Sequence, residues 1–242
     1  MRRLTYGDAI LSSGILDETF RNVHIYNGSL QIGYNLDSLS QFFVRGTLER
    51  RRYDLRPGDP GFDPLTQIDR SGDSTLIEGG VQRDVTRLIQ ATLRVGYLNF
   101  RYPDPSLRDI SAFSYFGNVR WNVTPLTTVN ATAQRRVDET SSPITAGNLR
   151  DELALAVDHE LLRTLILSGR ARLAWINPSI VGGSSTLIVR SSREQELSLE
   201  ARYYIARSFR IQGGYTYSSR QSVDRFIAYR SNRLTLGVNY LF

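Results

Sequence analysis

His24 and His159 are the only imidazoles in the 242 residues, and cysteine is absent. Thiol chemistry, disulfides and a Cys/His zinc site are therefore excluded. His159 stands between Asp158 and Glu160, a triplet that would suit a general base flanked by acids. The residue alternation around it sends His159 to the opposite side from both neighbours, so it reads as an interfacial histidine. His24 with a serine and an acid would suit a nucleophilic, lipid-modifying enzyme, but no serine can be placed at its depth. Asp59, Asp63, Asp69 and Asp73 lie in the stretch RPGDPGFDPLTQIDRSGD and could approach a calcium ion. Their spacing fits no known calcium loop, and a solvated loop is expected. No catalytic residue, cofactor or metal is expected, and the chain does not read as an enzyme.

Charge is the remaining chemistry. All 30 basic residues are arginine, set against 24 acids, for a net charge of +6 and a pI near 9.8. Nucleic-acid binding needs basic residues gathered on one surface. Here they are spread along the whole chain, so no nucleic-acid partner is expected.

The elements that must hold these charges are strands. No run approaches the 18 apolar residues of a spanning helix, and no apolar segment follows Met1–Arg2–Arg3 as a secretory signal would require. Period-two alternation recurs instead. In 229–242, Leu234, Leu236, Val238, Tyr240 and Phe242 share one face, while Arg233, Thr235, Gly237 and Asn239 share the other. The same pattern predicts strands over 22–36, 41–53, 75–85, 89–101, 113–123, 127–137, 152–161, 165–175, 197–205 and 209–218, with a twelfth over 3–12. Short polar links alternate with longer Gly/Pro/Asp/Ser-rich ones, so one hairpin of roughly 40 residues repeats along the chain.

The sidedness sets the class. One face is apolar throughout, while the other carries mixed charges that include Arg51. Strands of about ten residues, with short turns at one end and long loops at the other, are the signature of a transmembrane β-barrel. Closure also removes the exposed edges of a long meander. Tyr97, Tyr102, Trp121, Trp175, Tyr203, Tyr215, Tyr217, Tyr240 and Phe242 fall near strand ends and suit interfacial girdles. The alternative is a soluble β-sandwich or lipocalin-like barrel. The whole chain, 1–242, is expected to form one all-β domain: an up-and-down antiparallel barrel of about 12 strands.

The ending RLTLGVNYLF, with Val238, Tyr240 and Phe242 in phase, resembles the assembly signal of bacterial outer-membrane barrels. The phrases DVTRLIQATLRVGY, NVTPLTTVNATAQRRVDET and VDHELLRTLILSGRARL resemble the putative β-barrel porin type 2 family. Members of that family carry more upstream chain, so the resemblance implies a shortened or engineered member. It also implies an outer-membrane location, lipid and lipopolysaccharide around the barrel, and assembly machinery acting on the C-terminal strand. Short turns would be periplasmic and long loops extracellular. The function implied is passage of solute. The alternatives are an outer-membrane step of polysaccharide export or uptake, with periplasmic partners, and a filled or engineered barrel of purely structural role.

Twelve strands spaced at ~4.8 Å and tilted ~40° give a backbone diameter of roughly 24 Å and an opening on the order of 10 Å. The expected lumen-facing charges are Arg45, Glu49, Glu78, Asp84, Arg94, Arg120, Arg136, Glu152, Asp158, Arg170, Arg172, Glu200, Arg202, Arg210 and Arg233. Arg94 with Arg120 and Arg136, Arg170 with Arg172, and Arg202 with Arg210 would form basic tracks that favour anions. The same arginines could instead pair with the acids and tie the interior closed.

Overall fold

A computed structural model describes residues 1–7, 9–11, 14–16, 21–62, 68–138, 145–180, 191–206, 208–223 and 227–240. Its strands are β1 (Arg2–Leu4), β2 (Ala9–Leu11), β3 (Gly14–Leu16), β4 (Val23–Asn35), β5 (Ser40–Tyr53), β6 (Gly72–Thr86), β7 (Ile89–Arg101), β8 (Ile110–Thr124), β9 (Thr127–Asp138), β10 (Thr145–Leu162), β11 (Leu165–Ile180), β12 (Ser192–Ala206), β13 (Phe209–Gln221) and β14 (Tyr229–Tyr240). Twelve of them form one antiparallel sheet in the order β1, then β4 through β14, and β2 pairs only with β3.

The expected strand over 3–12 is corrected. β1 covers only Arg2–Leu4, paired with Val23–Ile25, and β2 and β3 form a hairpin apart from the sheet. The sequence TYGD between β1 and β2 carries two residues that disfavour strands. The other strands sit where alternation puts them, and most run longer at the long-loop end, up to 18 residues in β10. Among the described residues, no ladder joins β14 to β1 or β4.

Side chains close the short turns. The Asp37 carboxylate accepts the Leu39 N–H at 2.7 Å, and this bond holds its carboxyl below the usual range. Thr86 Oγ1 accepts from the Leu88 and Ile89 N–H groups at 3.1 Å, and Thr124 Oγ1 accepts from Leu126 N–H at 3.2 Å. Such bonds let a chain reverse within two to four residues. One further backbone bond recurs from hairpin to hairpin at 2.8 Å: Asp84 to Leu39, Asn122 to Leu88, Glu160 to Leu126 and Tyr204 to Thr164. A repeated stagger of this kind tilts the strands of a barrel.

The sheet curls. Arg51 Nη2 on β5 donates to the Val137 carbonyl on β9 at 3.4 Å. Four strand spacings in a flat sheet would put these strands ~19 Å apart, beyond one side chain, so the Arg51 face is concave. Crowding there explains three inward glycines. A Cβ on Gly96 would run into the Ile77 carbonyl, one on Gly80 would lie 2.6 Å from the Phe43 ring, and one on Gly72 would strike Phe100. Glycines that admit curvature, covered by aromatic rings, are a recurrent barrel device.

The fixed backbone obstacle gives a first prediction. Gly96→Ala should lower stability by about 2–3 kcal/mol, since overpacking against main chain cannot be relieved by a rotamer change. Gly79→Ala on the same hairpin meets open space and should change it little. Urea midpoints of the refolded proteins compare the two, and equal midpoints would refute the crowding argument.

The two faces invert the soluble pattern. On the convex face Leu234 and Leu236 are each 83% exposed, whereas Glu78, Arg150 and Glu152 on the concave face are 4%, 6% and 7% exposed. A continuous apolar exterior around buried charge suits lipid outside and a polar interior.

Candidate functional site: the concave face

The ladders place all fifteen charges expected in the lumen on the concave face. Arg45 faces Glu78 across β5–β6. Arg136 faces Arg150 across β9–β10. Arg202 faces Gln212 across β12–β13. His159 points to the convex face, with Nδ1 2.9 Å from Thr127 Oγ1. His24 is also convex. Its Nε2 lies 3.3 Å from Asp54, which takes Arg3 at 3.1 Å as well, so this acid is already shared with an arginine. Asp59 accepts the Arg56 N–H and Asp69 the Ser71 N–H, while Asp73 pairs with Arg50 and Arg52 on the convex face. Among the described residues no three metal-ligating side chains converge. Asp63 and Phe242 lie outside the described residues. Val238 and Tyr240 are convex and exposed.

The concave charges divide into two zones. At the long-loop end eight side chains form one network across β9–β13. Glu152 takes Arg150 at 3.1 Å and both Arg136 and Arg172 at 3.7 Å. Arg150 reaches Glu194 at 2.8 Å and Asp138 at 3.7 Å. Arg172 meets Glu196 at 2.9 Å, and Arg220 meets Glu194 at 3.8 Å. Four arginines and four acids balance. Nearby, Arg51 pairs with Glu49 at 2.7 Å and lies 5.1 Å over the Phe100 ring.

Tyr102 packs beside this zone. Expected in an aromatic girdle, it instead turns inward, its ring 4.7 Å from Phe100, because it continues the inward phase of Leu98 and Phe100. Burial pushes its hydroxyl up to about 12. A phenol that ionises near 10 when unfolded and near 12 when folded leaves stability intact below pH 10 and removes it as pH rises through 12, by roughly 2–3 kcal/mol. Urea midpoints between pH 9 and 12 should fall more steeply for the native chain than for Tyr102→Phe. Parallel curves would show that the hydroxyl is not buried.

Toward the short turns the pairing thins. Arg94 lies 3.4 Å from Glu78 and 3.9 Å over the Phe116 ring. Arg202 meets Glu200 at 3.0 Å and Asp158 at 3.4 Å, and Asp158 also takes the Ser168 hydroxyl. The tracks expected from Arg94 and Arg136, from Arg172, and from Arg202 are therefore interrupted by acids. Arg120, Arg170 and Arg233 differ: each is exposed on the concave face, with no acidic partner among the described residues. Register puts them on one row, running Arg120, Asn130, Ala156, Arg170, Ser198, Thr216, Arg233. They recur three strands apart, about 14 Å of arc. Arg45 donates to the Ser29 hydroxyl at 3.3 Å, and Arg210 lies 5.9 Å over Tyr204; neither has an acidic partner among the described residues.

Sequence reasoning did not single out Asp138, Arg150, Glu194, Glu196 and Arg220. The strands that carry them continue past the stretches where alternation is clear. Extending the Glu152 phase back to Arg150, and the Glu200 phase back to Glu196 and Glu194, would have found them.

The family assignment rests on sequence. The profile of the family described as Putative beta-barrel porin 2 matches residues 1–242, the whole chain. The chain belongs to this porin family. It is accordingly an outer-membrane β-barrel protein of bacteria. No curated protein matches the sequence. Among solved structures, the outer membrane channel DcaP of Acinetobacter baumannii is similar over 88% of this chain and 62% of its own, with TM-score 0.58 and 14% identity. The FrpB iron transporter of Neisseria meningitidis is similar over 91% of this chain and 41% of its own, with TM-score 0.57 and 9% identity. These likenesses concern fold alone. The porin chain spans about three-fifths of the first protein and two-fifths of the second.

Proposed function

We propose that this porin-family protein is a passive outer-membrane channel for small solutes that favours anions. The observation that carries the reading is the row of Arg120, Arg170 and Arg233, exposed on the concave face without acids. Guanidinium groups are always charged and offer planar donors to carboxylate or phosphate. Spaced around a polar lumen, they would hand an anion from one to the next while binding none tightly, as conduction requires. No bond is made or broken, so the role is transport and not catalysis.

The balanced network at the long-loop end favours a second reading, a barrel tied shut on that flank and serving as a scaffold. In the channel reading the same network narrows the mouth and leaves selectivity to the free row. β14, with Val238 and Tyr240 outward, is the strand on which assembly machinery would act.

Solute flux separates the two. Proteoliposomes holding the refolded chain should admit gluconate faster than a neutral sugar of similar size. Equal exclusion of both would favour the scaffold, and faster entry of the sugar would refute anion preference.

A further inference from the structure

The convex face has its own charge pattern, which the pore does not use. Near the long-loop end it carries Arg50, Arg52, Arg101, Arg135, Arg193 and Arg230, against Asp73 and Asp151. Near the short turns its strands carry one arginine, Arg83, among aromatic and aliphatic residues such as Trp121, Tyr203 and Tyr240. The two membrane-facing rims are thus chemically different.

One row concentrates the difference. Arg135, Asp151, Trp175, Arg193 and Gln221 pair in sequence across β9 to β13. Arg135 grips Asp151 with two bonds, of 2.5 and 3.0 Å, and the Tyr115 hydroxyl donates to the same acid at 2.9 Å. Arg193 lies 5.8 Å over the Trp175 ring, is exposed, and has no acidic partner among the described residues. Ten residues separate it from Tyr203 on the same strand. That is ~34 Å along the strand and ~26 Å along the membrane normal at ~40° tilt, close to the ~25 Å apolar band of such barrels. Arg193 therefore stands at headgroup depth.

Directly below this row the convex surface is hollow. A groove of about 750 Å³ crosses β7–β13, floored by Gly117, Ala131, Ala133 and Ala171 and walled by leucines such as Leu153 and Leu197. Small residues make the floor, and Gln195 and Ala133 of its lining stand two residues from Arg193 and Arg135 on the same strands.

We propose that this face binds one lipid with a phosphorylated headgroup and several acyl chains: lipopolysaccharide of the outer leaflet. Its phosphate would meet Arg193, steadied over Trp175, and its acyl chains would fill the groove. Charge complementarity selects the occupant. A zwitterionic phospholipid offers the arginines no net charge, and the strands of the opposite rim carry Arg83 where those of this rim carry six arginines. The proposal is independent of conductance, because a closed barrel would bind the lipid equally well.

Native mass spectrometry of the refolded full chain, with bisphosphorylated lipid A as probe, tests it. Arg193→Glu should reduce retained lipid A about tenfold, the scale of one charge-assisted phosphate contact. Arg83→Glu at the other rim should leave it unchanged, and dephosphorylated lipid A should be retained no better by the native chain than lipid A by the variant. Ala133→Trp, which fills the groove, should also lower retention. Heat-modifiable migration reports folding of each variant, and Arg193→Gln replaces the glutamate variant if that one does not fold. Equal retention by native and Arg193 variants would overturn the proposal, as would equal loss with Arg83→Glu or equal retention of phosphatidylglycerol.

Discussion

Replacing Glu152 by Gln should destabilise the folded barrel by on the order of 3 kcal/mol, because a nearly buried carboxylate there faces three guanidinium groups. Arg150 suffers most. Only 6% exposed, it loses the 3.1 Å contact to Glu152 and keeps Glu194 and Asp138. Those remaining acids set the expectation at the lower end of the 3–5 kcal/mol range for a broken buried pair. Asp73→Asn is the contrasting case. Of its partners Arg50 is mostly exposed and Arg52 a quarter exposed, with Asp73 itself half-exposed, and pairs open to solvent on this scale contribute about 0–1 kcal/mol. Urea unfolding of the two variants in lipid vesicles should therefore differ by ~2 kcal/mol or more. Similar losses would mean that the eight-residue network is no better protected from solvent than a surface pair.

Reversing Arg120, Arg170 and Arg233 to glutamate should turn an anion-selective channel into a cation-selective one. The three stand exposed on a single row of the concave face, and their partners across the ladders are neutral, so no acid is orphaned by the change. Stability should be nearly untouched, while the reversal potential in a salt gradient changes sign. Arg83→Glu, on the convex face, is the control that alters net charge without touching the lumen, and it should leave the reversal potential in place. An unchanged potential in the triple variant would remove the row from the conduction path.

From residue 22 onward, strand phase was legible in the sequence. Leu234, Leu236, Val238 and Tyr240 alternate with Arg233, Thr235, Gly237 and Asn239, and the two-residue period depends only on local geometry. The short turns were legible for the same reason, since Asp37, Thr86 and Thr124 each sit where a side-chain oxygen can cap a reversal. Strand ends were not. Near the long loops the convex residues become polar, as Asn177, Ser219 and Gln221 show, so the apolar alternation fades while the backbone ladder continues. Arg150, Glu194 and Arg220 lay in those fading stretches. Which arginine meets which acid was also beyond reach, because contacts such as Arg150 with Glu194 skip a strand and depend on curvature. Tyr102 failed for a related reason: its type suits an interface, but the phase set by Phe100 turns it inward.

Single-channel recording of the refolded native chain in a planar bilayer, under a KCl gradient, decides whether the lumen conducts and for which ions. Stable open steps are expected, with a reversal potential displaced toward that of chloride. Silence from protein that still shows heat-modifiable migration, or a potential displaced toward that of potassium, would contradict an anion-selective channel.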